Sequence, residues 1–164
     1  MGKKTSVGTP ATVALTRAGV PFAVHSYDHD PSATSYGLEA AEALGLDPRC
    51  VFKTLLADID GDLVVAVVPV DGMLDLKALA SAVGGKRAVM AEPARAERTT
   101  GYVVGGISPI GQKKPLRTVV DASALEHEIV YVSGGKRGTD LGLAPADLVS
   151  VTGATTAEVA RPTR

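Results

Sequence analysis

The chain has 164 residues, 45% of them apolar and 21% charged, with a mean hydropathy of +0.16 and a formal net charge of -1. That length suits one domain with a single core, and the composition excludes a disordered chain, which needs low hydrophobicity and high net charge. It also excludes a uniformly basic surface: any contact with a polyanion must be a patch, and Lys113, Lys114, Arg117, Lys136 and Arg137 supply one.

The opening "MGKKTSVGTPATVALTRAG" is basic but lacks the continuous apolar segment of a signal peptide. "MGKKTS" matches the short pattern for N-myristoylation at Gly2, a weak signal on its own. Thr9 can cap a first helix that has Pro10 at its first position and stops at Gly19. "PFAVHSYDHDP" alternates as a strand does and runs into a turn at Pro31. "GLEAAEALG", Gly37 to Gly45, is a run of helix formers closing on glycine.

"CVFKTLLADIDGDLVVAVVPV" predicts two strands joined at Asp60-Gly61, a pair that tolerates the positive φ of a tight hairpin turn. Its apolar run Leu63 to Val70 is far too short to span a bilayer. Asp75 caps a helix through Val83, a short strand "RAVM" follows, and Pro93 leads the helix "PARAERT". "LRTVVD" and "EIVYVSGG" are β-rich, and "APADLVSVTG" is a last short helix. The tail "TTAEVARPTR" offers no evident core face, so residues 154–164, like 1–8, are expected to be loose. Helices and strands interleave, yet the hairpin requires antiparallel pairing, so the sheet must be mixed. Aromatic residues make up only 4%, which leaves Val, Ala and Leu to fill the core.

Cys50 is the single cysteine, so neither an internal disulfide nor a cysteine-rich metal site can form, as suits a reducing cytoplasm. His25 and His29 share a strand face, but no third ligand stands at a recognisable spacing. "TGYVVGGISPIGQKK", Thr100 to Lys114, suggests a phosphate loop, since four residues separate Gly106 from Gly111. Gln112, Lys113 and Lys114 follow where that motif needs Lys and then Ser or Thr. A nucleophile elbow around Ser108 fails by one residue of spacing, with Pro109 directly after the serine. What survives is physical: glycines let backbone amides approach a ligand, and "SGGKRG" at 133–138 repeats the pattern with Lys136 and Arg137 inside it. The two segments either line one pocket or are ordinary turns. Lys53 lies within the apolar "CVFKTLLA"; it either snorkels from an edge strand or serves a pocket by neutralising charge.

Together "YDHDP" at 27–31, "FKTLL" at 52–56, "LDLK" at 74–77, "TGYVVGGISPIGQKK" at 100–114 and "YVSGGKRG" at 131–138 resemble the YbaK-type Cys-tRNA(Pro) deacylases. That family is related to the editing domain inserted in bacterial prolyl-tRNA synthetases. The blocks keep the family's order and span nearly the whole chain. The resemblance implies a single α/β (α+β) domain over 1–164, with a mixed sheet curled into a barrel-like core and helices around it. It implies a trans-editing enzyme that hydrolyses mischarged Cys-tRNA(Pro), with no cofactor and no metal. In such enzymes the substrate's own thiol attacks the ester, so no protein nucleophile is required.

By the resemblance Lys53 is the catalytic residue. Tyr27, Thr54, Gly105, Gly106, Ser108, Ser133, Gly134 and Asp140 are the substrate-binding positions. The acceptor end of aminoacyl-tRNA is the ligand, and prolyl-tRNA synthetase is the expected partner in a ternary complex, with no membrane involved. Pro115 stands where relatives often carry a basic residue, and nothing after Gly153 is diagnostic. The competing expectation is a module that binds a nucleotide, an aminoacyl ligand or the synthetase without turnover.

Overall fold

The computed structural model describes residues 8–162. Helix α1 (Pro10–Ala18) starts where Thr9 Oγ1 accepts the Thr12 N–H at 3.2 Å and ends at Gly19, whose φ of 70° suits glycine. Strand β1 (Ala23–Ser26) leads to α2 (Tyr36–Leu44), which is capped by Ser35 and ended by Gly45. Strands β2 (Phe52–Ile59) and β3 (Asp62–Pro69) form the expected hairpin, with Asp60 at φ 53° and Gly61 at φ 98° making the turn. β4 (Gly72–Leu74), the Asp75-capped α3 (Leu76–Ala82), β5 (Ala88–Met90) and α4 (Pro93–Thr100) follow. After the loop at 101–116 come β6 (Arg117–Asp121), a 3-10 turn (Ala122–Glu126), β7 (Val130–Lys136) and β8 (Thr139–Leu143). Then α5 (Pro145–Thr152), β9 (Thr155–Ala157) and β10 (Ala160–Pro162) complete the order.

The strands form a five-stranded sheet β5-β2-β3-β6-β9, a three-stranded sheet β1-β8-β7 and a ribbon β10-β4. The large sheet is mixed, as the hairpin demanded: β3 pairs with β6, and β6 with β9, in parallel, while β2 is antiparallel to both its neighbours. One isolated parallel bridge, Val51 to Tyr131, ties the large sheet's leading edge to β7. Among the described residues these pairings do not close into a ring, so the core consists of facing sheets and not a closed barrel.

β3 explains its own unbroken apolar run, because both of its faces are buried. Leu63, Val65 and Val67 face Val130, Val132, Leu141 and Leu143 of the small sheet, with α1, α4 and α5 completing that core. Val64, Ala66 and Val68 face Leu79 and Ala80 of α3.

The expected loose tail is corrected over 154–162. β9 and β10 pair with β6 and β4, Val159 is fully buried, and Asp121 Oδ1 accepts the N–H groups of Val159 and Ala160, each at 2.9 Å. Residues 1–7 and 163–164 lie outside the described residues, and with them the Gly2 pattern. No described helix is long and apolar enough to cross a membrane.

Candidate functional site

β5 pairs only with Ala57–Ile59, so the first half of β2 keeps one edge free of a strand partner. Against that edge lies a cavity of about 320 Å³, walled by the start of α2, the lead into α4, the 101–116 loop and the β7–β8 pair. The size and mostly apolar lining suit a small ligand or the end of a larger one. Leu55, Met90, Pro93, Ala96, Val104 and Ile107 supply apolar wall. Six of the nine expected residues line it as well: Tyr27, Lys53, Thr54, Gly105, Ser133 and Asp140.

The polar groups have different burial and therefore different chemistry. Asp140 is 6% exposed, and burial pushes its carboxyl up to about 7. Its register fixes it opposite His25 of β1 and Ser133 of β7. The Tyr27 phenol is pushed up to about 12, first by burial and then by the negative charge of Asp140 and Glu39, so it remains a donor at neutral pH. Burial lowers the Lys53 amine, opposed by the charge of Asp71. None of the three ion pairs among the described residues involves Lys53. Thr54 Oγ1 is buried without a hydrogen-bond partner, a state that buried hydroxyls rarely keep unless a ligand or water completes them.

The other three expected residues lie off the cavity wall, each for a packing reason. A Cβ on Gly106 would stand 2.8 Å from Lys136 Cα and 2.9 Å from Arg137 N, and the Gly106 N–H is already donated to Val103 O at 2.8 Å. Gly106 therefore packs one glycine-rich segment against the other. Ser108 is fully buried, and its Oγ accepts the Ile110 N–H within its own turn. Gly134 lies under Thr139, and its carbonyl accepts the Thr9 hydroxyl at 2.6 Å, which fastens α1 to β7.

His25 packs edge-on against the Tyr131 ring and His29 Nδ1 contacts Glu39 at 2.8 Å, so the two histidines serve different neighbours. No group of three His, Cys, Asp or Glu able to hold a metal occurs among the described residues. Cys50 does not line the cavity; its Sγ lies 3.1 Å from the Asp47 carbonyl, and burial raises its thiol. Lys113 and Lys114 are also absent from the wall.

Sequence reading missed the mouth of the cavity. Ser35, Tyr36 and Gly37 open α2 onto it, and Arg137 lies across the adjoining edge with its guanidinium 4.9 Å from the Tyr36 ring centroid. Gly37 held the clue, since glycine weakens a helix and a Cβ there would overlap Val70.

A mixed α/β domain with a lysine, a protonated phenol and a titratable carboxyl in one apolar-walled cavity belongs to the class of enzyme-like domains that enclose a small reacting group. The aminoacyl-tRNA editing domain model matches residues 29–151, and the chain belongs to that family. It is 38% identical, over 96% of both chains, to EbsC of Enterococcus faecalis, described as a candidate Cys-tRNA(Pro)/Cys-tRNA(Cys) deacylase. It is 29% identical over 73% of both chains to the multifunctional Ser/Thr-tRNA deacylase ProXp-y of Escherichia coli K12. A crystal structure described as a candidate trans-editing enzyme for prolyl tRNA synthetase superposes with a TM-score of 0.81 at 25% identity, covering 97% of this chain and 99% of that one.

Proposed function

We propose that this chain is a trans-editing aminoacyl-tRNA deacylase that removes cysteine from Cys-tRNA(Pro). The observation that carries the reading is the make-up of the cavity wall. It gathers Lys53, Tyr27, Asp140 and the orphan Thr54 hydroxyl, yet contains neither a cysteine nor a histidine to activate a hydroxyl. Ser133 Oγ is itself engaged as acceptor of the Gly135 N–H at 3.2 Å. Such a wall suits a substrate that brings its own nucleophile and needs positioning and charge stabilisation.

In the proposed step the cysteine sulfur attacks the ester carbonyl. A carbon–sulfur bond forms, the bond to the terminal ribose oxygen breaks, and a cyclic thioester leaves the tRNA. Ionised Asp140 accepts the thiol proton, the Lys53 ammonium stabilises the oxyanion, and the Tyr27 hydroxyl protonates the departing ribose oxygen before recovering a proton from Asp140. Prolyl-tRNA synthetase makes this error because cysteine and proline are close in size, so a second site must remove the product. We assign the synthetase as the partner that presents the tRNA.

The test is release of amino acid from Cys-, Ser-, Ala- and Pro-tRNA(Pro). Cysteine is expected to leave well above the buffer rate, and serine more slowly because a hydroxyl is the poorer nucleophile. Cysteine release no faster than in buffer overturns the reading, and tight binding of a non-hydrolysable aminoacyl-adenosine without turnover would establish a binding module instead.

A further inference from the structure

The basic turn between β7 and β8 adjoins the cavity, and one of its side chains is fixed in place without a charged partner. Arg137 Nε donates to the Val104 carbonyl at 2.8 Å, and its guanidinium lies over the Tyr36 ring. Val104, Gly105 and Tyr36 all line the cavity, and a Cβ on Gly105 would approach Arg137 Nε to 2.8 Å. The turn itself packs closely on the other glycine segment, since a Cβ on Gly106 would meet the Lys136 and Arg137 backbone at 2.8–2.9 Å.

The three ion pairs among the described residues are His29–Glu39, Arg49–Asp47 and Arg95–Asp58, so no carboxylate neutralises Arg137. Glu39, on the same helix as Tyr36, is occupied by His29 and by the Asp30 N–H. An exposed arginine ordinarily keeps its rotamer freedom, whereas this one is bonded through Nε and stacked, which leaves its two terminal amino groups as an oriented, unneutralised fork. Planar forks of this kind match the oxygens of a phosphate.

Resting on the deacylase reading, we infer that Arg137 is a phosphate clamp that positions the acceptor end. It grips the phosphodiester on the 5′ side of the terminal adenosine while the aminoacyl ester occupies the cavity. That phosphate lies one ribose away from the esterified oxygen, so a ligand seated in the cavity carries it to the cavity edge. Arg137 acts on binding and registration, and the chemical step stays with the groups in the wall.

The test compares Arg137→Ala, Arg137→Gln and Arg137→Lys on two substrates: Cys-tRNA(Pro), and cysteinyl-adenosine, which has no phosphate. With tRNA, KM is expected to rise about ten-fold or more in the Ala and Gln variants while kcat changes little, and the slope of log KM against log salt should fall by about 1. Arg137→Lys should recover part of the loss. With cysteinyl-adenosine the variants should match the wild type. Equal losses on both substrates would make Arg137 a brace for Val104 and overturn the clamp, as would an unchanged KM for tRNA. Gln keeps a donor for Val104, so it covers the case in which the Ala variant fails to fold. A wild type that releases cysteine from neither substrate overturns the deacylase reading itself. The clamp is then decided by anisotropy of a fluorescent RNA hairpin ending in CCA, whose Kd must rise by the same factor in Arg137→Gln.

Discussion

Lys53 was legible as a residue because a charge in an apolar strand is an anomaly, and the structure supplies the reason that strand tolerates it: this half of β2 has a free edge beside the cavity. Lys53→Ala should lower the rate of cysteine release about 100-fold or more, the scale of losing one donor to a developing oxyanion, whereas Cys50→Ser should leave the rate near wild type. Initial rates on Cys-tRNA(Pro) check both, and the reverse pattern would move the chemistry to Cys50. Asp140 was found only through the resemblance, since nothing in "TDLGL" distinguishes a buried carboxylate from a solvated one. Its protonation makes two linked predictions. In the proposed step Asp140 acts in its ionised form, so the rate should rise with pH through about 7 and then level, and Asp140→Asn should be inactive. For stability the sign is opposite, because the folded state holds this proton more tightly than the unfolded chain with its value near 3.8. The stabilisation is complete below that value and is lost as pH rises to about 7. The ionised carboxylate then opposes folding by up to about 4 kcal/mol. Asp140→Asn should therefore raise Tm at pH 8 while abolishing activity; a lower Tm would contradict the burial argument.

At the scale of elements, caps and turns were well marked because their chemistry is local: Thr9, Asp75 and the Asp60-Gly61 turn all sit where side-chain capping and positive φ require them. The two glycine segments were ambiguous because glycine serves both ligand approach and backbone packing. Gly105 falls on the cavity wall and Gly106 at the segment junction, one residue apart. Gly106→Ala should destabilise by about 1–3 kcal/mol, the range for overpacking a fixed contact, measurable as a lower urea midpoint. The closing strands escaped notice for another reason: β9 and β10 are three residues each and depend on a distant carboxylate. Asp121 accepts the amides of Val159, which joins them, and of Ala160, as well as the Ser123 hydroxyl at 2.5 Å. Asp121→Ala should cost about 2–5 kcal/mol by leaving those amides unpaired, with hydrogen exchange accelerating first at Val159 and Ala160. Exchange that stays uniform across the molecule would mean the tail is held by other contacts.

For the whole molecule, the mixed sheet followed from interleaved elements around one obligatory hairpin, but the separation into two facing sheets did not, because the Val51–Tyr131 bridge joins segments 80 residues apart by a single pair. The same scale governs how a tRNA is chosen. A net charge of -1 and one basic turn beside the cavity provide too few phosphate contacts to distinguish one tRNA body from another. On the proposed reading the cavity takes only an aminoacyl group and the sugar that bears it, features that Cys-tRNA(Pro) shares with correctly charged Cys-tRNA(Cys). Alone, the protein should therefore deacylate both at comparable rates. Added prolyl-tRNA synthetase should favour the proline tRNA, because in the proposed complex the synthetase holds that tRNA body and presents its end to the cavity at high effective concentration. The check is a time course on both substrates at several synthetase concentrations. Selectivity that is already strong without the synthetase would locate tRNA recognition on this chain, and selectivity that never appears would remove the synthetase as the presenting partner.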